Sequence, residues 1–373
     1  MMIDEKVPET EFIKLWQELG TKGTAERLGI SNRAVRRRKQ KISERTGLEL
    51  SGKIPDGHHL KGKSTLYDAD GNVVIEWVKT NIDKDEAILI QAEIVEALKE
   101  KIVSTDSVKP PKTTINKLMT LYPVGDHHFG MLAWGEETGE SDYDLRIAEN
   151  LLAKATQHLV NSSPDSEEAA LLLLGDFMHY DSFQPVTPMH KNLLDADGRF
   201  PKMVRTAIRA IRHQIECALK KHKNLRLVIE IGNHDIAGTI WLMEAFSMFY
   251  EKEPRVTVDT SPRPFHCFTF GQNMIGTHHG HNVKMNALPL IFATDWPEAW
   301  GNTKYRSIHT GHVHHDQIKE NPGVKVESHG ILAPGDAYGA NHGYRSRQSM
   351  KAIVLHKEHG EVSRFTVNPE MLE

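Results

Sequence analysis

From residue 115 onward, apolar runs of strand length alternate with segments of helical periodicity. The strand-like runs are Leu118–Gly125, Ala169–Gly175, Leu225–Gly232, Met274–His278 and Tyr305–Thr310. The helix-like segments are Asp142–Val160, Met203–Lys221 and Ile240–Glu251. Strands that alternate with helices along a chain are typical of the α/β class. We therefore predict an α/β domain over residues 115–373.

Length and cysteine content limit the remaining possibilities. A chain of 373 residues is too long for one small core, so we expect two or three domains. Cys217 and Cys267 are the two cysteines and form no CxxC pair, which argues against a disulfide framework and favours a reducing compartment. The first residues lack the pattern of a signal peptide, and the longest apolar run, Ala169–Leu174, is too short to span a membrane. We expect a cytoplasmic protein without a membrane partner.

Residues 9–45 have the spacing of three short helices. The apolar residues from Phe12 to Leu19 follow a helical period, and Gly20 ends that segment. Ala25, Gly29 and Val35 then occupy the small, turn and β-branched positions of a helix-turn-helix, which this segment resembles. Between residues 22 and 45, nine basic residues stand against two acidic ones. We expect this segment to bind DNA, with contacts from Arg33, Arg36 and Arg37.

Residues 51–114 connect the two ends of the chain. A β-hairpin is predicted around Asp70-Gly71-Asn72, because these residues tolerate the positive φ of a tight turn. A helix is predicted over Lys84–Val103, and Pro110-Pro111 marks Ser104–Thr114 as a linker. The predicted domains are therefore a helix-turn-helix at 1–50, a connector at 51–103, a linker at 104–114 and the α/β domain at 115–373.

Short polar motifs follow the ends of the five strand-like runs. They are Gly125-Asp126-His127-His128, Gly175-Asp176-Phe177-Met178-His179, Gly232-Asn233-His234-Asp235, His279-Gly280-His281 and Gly311-His312-Val313-His314. Each motif alone is typical of a turn, but loops at the carboxyl ends of strands converge on one crevice of an open sheet. Mixed His, Asp and Asn side chains suit Mn²⁺, Fe or Zn²⁺, and a shared carboxylate can hold two ions about 3.5–4 Å apart.

In this order, the motifs resemble the calcineurin-like metallophosphoesterase superfamily over about 190 residues, from Asp126 to His314. The resemblance implies a four-layer αββα sandwich of two mixed sheets with two divalent ions, Mn²⁺ first and Fe, Zn²⁺ or Ni²⁺ as alternatives. It implies that the first ion is bound by Asp126, His128, Asp176 and His314. It implies that the second ion shares Asp176 and adds Asn233, His279 and His312. His234, paired with Asp235, would contact the phosphate and help to protonate the leaving group.

His179 narrows the resemblance. A histidine three residues after the bridging aspartate resembles the DNA-repair exonuclease branch, where it assists phosphodiester cleavage. The alternative is a histidine that supports the metal ligands or lies on the surface. Phage-encoded proteins of that branch pair similar modules, which would place this chain in the host cytoplasm. His190 in the segment 181–202, and Tyr344, Arg345 and Arg347 near the C-terminus, are candidate substrate contacts, because arginines can clamp a phosphate.

Three functions remain open on these grounds. The first is a nuclease that hydrolyses DNA by in-line attack of a metal-bound hydroxide. The second is a phosphomonoesterase, acting on protein or nucleotide, that the N-terminal domain recruits. The third is a DNA-binding regulator with a weakly active enzyme domain, which the complete set of ligand motifs disfavours. A nucleic-acid partner, most simply DNA, is expected, and a homodimer is left open.

Overall fold

The computed structural model describes residues 7–46, 58–67, 73–82 and 108–372. The chain divides into two compact units, residues 1–92 and residues 93–373. Within the described ranges, no helix is both long and apolar enough to cross a membrane.

The N-terminal unit begins with α1 (Glu9–Leu28) and α2 (Asn32–Thr46). Gly20 interrupts α1 with a non-helical backbone, at φ 68° and ψ −175°, so the segment comprises three helical pieces, as predicted. Gly29 ends α1 in the left-handed region at φ 65°, and its N–H bonds to carbonyls of the last turn. The chain then turns directly into α2.

A small apolar cluster holds α1 and α2 together. Phe12, Ala25, Val35 and Ile42 are buried in it. The guanidinium of Arg38 lies 4.6 Å from the centre of the Phe12 ring, which adds a cation–π contact to the packing. The Ala25 and Val35 positions of the predicted helix-turn-helix are therefore packing positions in this unit.

The same unit contains an antiparallel hairpin of β1 (His58–Tyr67) and β2 (Val73–Ile82), in which His58 lies opposite Ile82. This agrees with the predicted hairpin, although its turn at residues 68–72 lies outside the described residues. The predicted helix Lys84–Val103 and residues 104–107 of the predicted linker also lie outside them. Residues 108–114 are described and contain no helix or strand.

The second unit contains two mixed sheets. The six-stranded sheet has the order β13-β12-β3-β4-β5-β6. Its members are β3 (Ile115–Val124), β4 (Ser166–Leu173), β5 (Asn224–Ile229), β6 (Val256–Val258), β12 (Met350–His356) and β13 (Gly360–Val367). Strands β3 to β6 pair in parallel, whereas β12 pairs antiparallel with both β3 and β13.

The five-stranded sheet has the order β10-β11-β9-β8-β7. It consists of β7 (His266–Phe270), β8 (Asn273–Thr277), β9 (Tyr305–Thr310), β10 (Gln317–Asn321) and β11 (Val324–Ser328). The three central strands β11, β9 and β8 are parallel, and the two edge strands run antiparallel to their neighbours.

Helices cover the outer faces of both sheets. The helices are α3 (Gly135–Thr138), α4 (Leu145–Ser162), α5 (Phe200–Lys221), α6 (Ile236–Phe249), α7 (Leu288–Asp295), α8 (Pro297–Asn302) and α9 (Ala337–Asn341). Helices α4, α5 and α6 contact the six-stranded sheet, and α7 contacts the five-stranded sheet. Between the sheets lies an apolar core that includes Leu121, Leu172, Val228, Ile275 and Ile353. The result is the predicted αββα sandwich of two mixed sheets.

Candidate metal centre

The motif loops leave the two sheets at the carboxyl ends of parallel strands. Strands β3, β4 and β5 lead into the loops of Asp126, Asp176 and Asn233, and β8 and β9 lead into those of His279 and His312. Three groups of side chains form there, each with its nitrogen or oxygen ligand atoms within 4.8 Å of one another. The groups are Asp126–His128–His314, Asp176–His279–His312 and His128–His179–His234.

The backbone is strained at the same place. In the described part of the chain, six non-glycine residues have positive φ, and five of these are predicted metal ligands. The five are Asp126, His128, Asp176, His312 and His314, with φ between 32° and 71°. Positive φ costs free energy for any residue with a Cβ, and such strain persists mainly at functional sites. The strain therefore marks these loops as a site whose geometry is imposed by the surrounding fold.

Two glycines allow the loops to approach one another. A Cβ on Gly232 would collide with the carboxylate of Asp176, and a Cβ on Gly311 would collide with that of Asp126. The glycines that precede the ligand residues in these motifs are thus required by close packing of one loop against the next.

The first cluster consists of Asp126, His128 and His314. In it, Nε2 of His314 lies 3.2 Å from Nε2 of His128 and 3.4 Å from Oδ1 of Asp126. Ligand atoms bound tetrahedrally at about 2.0–2.1 Å from one ion stand about 3.3 Å apart. The backbone N–H of His312 donates to both oxygens of Asp126, at 3.0 and 2.8 Å, which orients that carboxylate. The spacing of this donor set fits a divalent transition metal ion.

In the second cluster, Nε2 of His279 lies 3.2 Å from Oδ2 of Asp176 and 3.1 Å from Oδ1 of Asn233. The other ring nitrogen of His279, Nδ1, donates to the carbonyl of Leu174 at 2.7 Å. This bond fixes the tautomer and leaves Nε2 free to bind a metal, as is typical of metal-binding histidines. Oδ1 of Asp126 lies 4.0 Å from the same Nε2, so the two clusters are adjacent.

The carboxylates and histidines of the clusters shift one another's pKa. Burial would lower the pKa of His279, but the carboxylates of Asp176 and Asp126 raise it to about 10. Burial likewise opposes charge on His314, yet Asp126 raises its pKa. Burial would raise the pKa of Asp176, and the neighbouring histidines hold it well below its usual range. Because ligands must lose their protons to bind a metal, an ion can replace these protons as the positive charge.

His234 lies beside the carboxylate of Asp176. Its Nδ1 donates to the carbonyl of His179 at 2.8 Å, and since that oxygen can only accept, Nδ1 carries the proton. Its Nε2 lies 4.0 Å from Oδ2 of Asp176. The rings of His234 and His179 stack with centroids 5.5 Å apart and an interplanar angle of 22°. This brings the two predicted catalytic histidines together at the edge of the clusters.

The expected pairing of Asp235 with His234 differs from the observed contacts. The carboxylate of Asp235 accepts the N–H groups of Met178 at 3.0 Å and Gly232 at 3.3 Å, while the ring of His234 bonds to His179. Asp235 is completely buried, so its oxygens need donors, and the two amides supply them. Burial, and then the charge of Asp176, raise the pKa of Asp235 to about 7.

His179 is a neutral imidazole in this arrangement. Burial and the charge of His234 lower its pKa to about 3. Its Nδ1 lies 3.2 Å from Nδ1 of His128, so it also touches a ligand of the first cluster.

His278 and His279 are adjacent in the chain but have different contacts. His278 accepts the N–H of Gly280 at 2.9 Å and stacks on Phe265. His279 is the one of the two that meets Asp176, as expected.

The other predicted contact residues are exposed on the surface. His190, Tyr344, Arg345 and Arg347 are exposed, and Nη1 of Arg345 donates to the carbonyl of Tyr344 at 2.8 Å. Arg33, Arg36 and Arg37 are exposed on α2. Their roles in binding substrate or DNA stay predictions.

Sequence reasoning missed two features. Asp181 accepts N–H groups from the first turn of α6, directly after His234 and Asp235, although it lies more than fifty positions earlier in the chain. A fourth group of potential ligands, His309–Glu327–His329, is buried in the five-stranded sheet and just beyond its edge. No local pattern marks either feature, because both depend on contacts between distant segments.

Comparison with protein-family models and with curated proteins found no match. Several solved structures are similar. An archaeal phosphodiesterase is 14% identical over 67% of this chain and 100% of its own, with a TM-score of 0.34. Vps29 from Entamoeba histolytica, complexed with Zn²⁺, is 11% identical over 67% of this chain and 99% of its own, with a TM-score of 0.26.

A putative 5′-nucleotidase from Staphylococcus aureus is 10% identical over 67% of this chain and 54% of its own, with a TM-score of 0.30. At these identities and TM-scores, the similarities carry no argument about activity.

Proposed function

We propose that this chain is a two-metal phosphodiesterase of the calcineurin-like kind, and that it acts as a nuclease on DNA. The observation that carries the proposal is the pair of adjacent His/Asp clusters at the carboxyl edges of both sheets. Two stacked histidines lie beside them. Adjacent clusters of this type match what in-line displacement at phosphorus requires, which is positive charge on both sides of the reacting group.

Each residue has a defined task in this proposal. Asp126, His128 and His314 would hold the first ion, and Asn233, His279 and His312 the second, with Asp176 shared. When bound, the ions would neutralise phosphate charge and lower the pKa of the attacking water. The donor set mixes nitrogen and oxygen, which is compatible with Mn²⁺ and leaves Fe, Zn²⁺ and Ni²⁺ as alternatives.

Proton transfer would fall to His234. Its Nδ1–H is held by the carbonyl of His179, which directs Nε2 towards the clusters. When Nε2 is protonated as well, it can contact the phosphate and pass that proton to the leaving oxygen, after which the ring is neutral and keeps the proton on Nδ1. His179, which is neutral and stacked on His234, would keep that ring in place and close the side of the site next to His128.

DNA as the substrate is supported by the N-terminal unit. Arg33, Arg36 and Arg37 are exposed on one helix, whereas Arg38 and Lys39 of the same helix are used against the rings of Phe12 and Trp16. Exposed arginines on a helix can neutralise phosphates, which supplies most of the sequence-independent affinity for DNA.

The test is digestion of end-labelled single-stranded and duplex DNA with Mn²⁺, beside hydrolysis of bis-p-nitrophenyl phosphate and p-nitrophenyl phosphate. The proposal expects cleavage of DNA and of the diester, with His234→Ala about 10²–10⁴-fold slower on both. An Arg33/Arg36/Arg37→Ala variant should bind duplex DNA more weakly, with a salt slope reduced by about one per lost contact. It should keep full activity on the small diester. Preference for the monoester would instead identify a phosphomonoesterase.

A further inference from the structure

We infer that Asp181 is a positioning residue of this centre, which locks the loop of His179 against the helix that follows His234. The inference rests on the proposed phosphodiesterase function. Asp181 belongs to neither cluster. It would act by fixing the relative position of His179 and His234.

The first turn of α6 receives its cap from a distant part of the chain. The first backbone N–H groups of a helix have no acceptor within the helix. In α6, Oδ2 of Asp181 accepts the N–H of Ala237, and Oδ1 accepts that of Gly238 at 2.8 Å. These are the second and third helical positions, the ones that an N-cap side chain normally serves. The residue that occupies the N-cap position of α6, Asp235, makes no side-chain cap bond.

Asp235 makes the reciprocal contact instead. Its carboxylate accepts the N–H of Met178, one residue before His179. The loop after β4 and the start of α6 are therefore linked in both directions. Asp181 of the loop accepts N–H groups of the helix, and Asp235 at the helix start accepts an N–H group of the loop. The bond from Nδ1 of His234 to the carbonyl of His179, at 2.8 Å, is a third link between them.

The three links flank the catalytic histidines. Asp235 binds the segment just before His179, and Asp181 binds the helix just after His234. A Cβ on Gly238 would collide with the methyl group of Met178 and stand 2.9 Å from Oδ1 of Asp181, so the two segments are in close contact there. Loss of the Asp181 link would free one end of this arrangement and loosen the stacking of the two rings.

A purely structural cap would behave differently. Asp144 caps α4 in the usual way, with Oδ1 accepting the N–H of Ile147 at 2.7 Å, and no predicted ligand or catalytic residue lies on α4. Asp144→Ala therefore removes the same kind of bond from a helix that carries no residue of either cluster. It serves as a matched control for the stability cost of losing a cap.

The experiment compares kcat, KM and metal content of the wild type, Asp181→Ala, Asp181→Asn and Asp144→Ala on bis-p-nitrophenyl phosphate with saturating Mn²⁺. Misplacement of catalytic groups by about 1 Å can cost about 100-fold in rate, so Asp181→Ala should lose about 10–100-fold in kcat. Its metal content should stay that of the wild type. The kcat of Asp181→Asn should lie between those of the wild type and Asp181→Ala, because its amide oxygen can accept one of the two N–H groups. Asp144→Ala should lower Tm and leave kcat unchanged.

Wild-type kcat in a metal-replete Asp181→Ala whose Tm falls as far as that of Asp144→Ala would overturn the inference and leave the proposed function standing. Inactivity of the metal-replete wild type on the diester would overturn the proposed function and the inference together. If Asp181→Ala does not fold, Asp181→Asn carries the comparison, and an undiminished kcat in that variant overturns the inference.

Discussion

The metal centre and the buried group of His309, Glu327 and His329 contain the same types of ligand in opposite surroundings. Both bring imidazoles and a carboxylate within coordinating distance. In the buried group, however, the carboxylate already has cationic side chains as partners. Nη2 of Arg364 lies 2.8 Å from Oε2 of Glu327, and Nζ of Lys351 lies 3.9 Å from Oε1.

The histidines of the buried group also have different partners from those of the metal centre. Nδ1 of His309 lies 2.9 Å from Nε2 of His329, so the two rings bond to each other. Burial lowers the pKa of His309 to about 4, and burial also lowers that of His329 well below its usual range. Burial would raise the pKa of Glu327, but Arg364 holds it well below its usual range. A divalent ion would meet cations that are already in place.

The difference teaches that ligand type alone does not define a metal site. At the metal centre, the ion-pair partners of Asp126 and Asp176 in the described residues are histidines, whose protons a metal can displace. At the buried group, Arg364 on β13 and Lys351 on β12 bind a glutamate on β11 of the other sheet. We interpret the buried group as a polar link between the two sheets.

The largest expected effect comes from the shared carboxylate. Asp176→Ala should lose both ions and all measurable turnover, because Asp176 is the one ligand that the two proposed sites have in common. Metal analysis of the purified protein checks this, with Asn233→Ala as the matched variant that should lose one ion. Two ions in Asp176→Ala, or one in the wild type, would refute the shared role.

Removing the proton donor should have a smaller effect. His234→Ala should lower kcat by about 10²–10⁴-fold, which is the usual contribution of a positioned acid, while both ions remain. Steady-state kinetics and metal analysis on the same preparation separate the two roles. Near-normal turnover in a metal-replete variant would remove His234 from the mechanism.

The buried group should respond in stability alone. Glu327→Gln removes one of the two carboxylates that pair with Arg364. Breaking a buried ion pair costs about 3 kcal/mol, here at the low end because Arg364 is partly exposed and keeps its contact with Glu361. Metal content and kcat should not change. Denaturant unfolding measures the free-energy difference. A third ion in wild-type protein that disappears in Glu327→Gln would break the comparison between the two groups.

A pH effect should come from a third contact between histidine and carboxylate. Nδ1 of His266 donates to Oε1 of Glu230 at 2.8 Å in the core. Burial would lower the pKa of His266, but Glu230 raises it to about 9. Since the folded pKa exceeds the unfolded value near 6.5, this contribution is complete below pH 6.5 and is lost as the pH rises towards 9. The free energy of unfolding should fall over this window in the wild type and fall less in His266→Gln.

The sequence predicted the parts of the fold that have strong local patterns. All five predicted strands are present, and Tyr305–Thr310 has the predicted bounds. They were recognisable because both of their faces are largely buried, so they read as continuous apolar runs. Strand β13 was missed because most of its residues are partly or fully exposed, and β10 because it lies at a sheet edge.

Helix α6 shows the limit for boundaries. It begins at Ile236 rather than at the predicted Ile240, because its first turn is capped by Asp181 from another loop. The predicted metal ligands lie close together because each motif directly follows a strand. The contacts of Asp235 could not be predicted from the sequence, because the direction of a side chain at a helix start depends on which distant amides need an acceptor.

Each proposed ion would take ligands from both sheets. Asp126 and His128 follow a strand of one sheet and His314 follows a strand of the other, and the same holds for Asp176 and His279. Metal loading would therefore act as a pair of staples across the open edge of the sandwich. The thermal stability of this domain, and its resistance to separation of the two sheets, would then depend on the concentration of free metal. A ligand that binds only the folded state stabilises it by mass action.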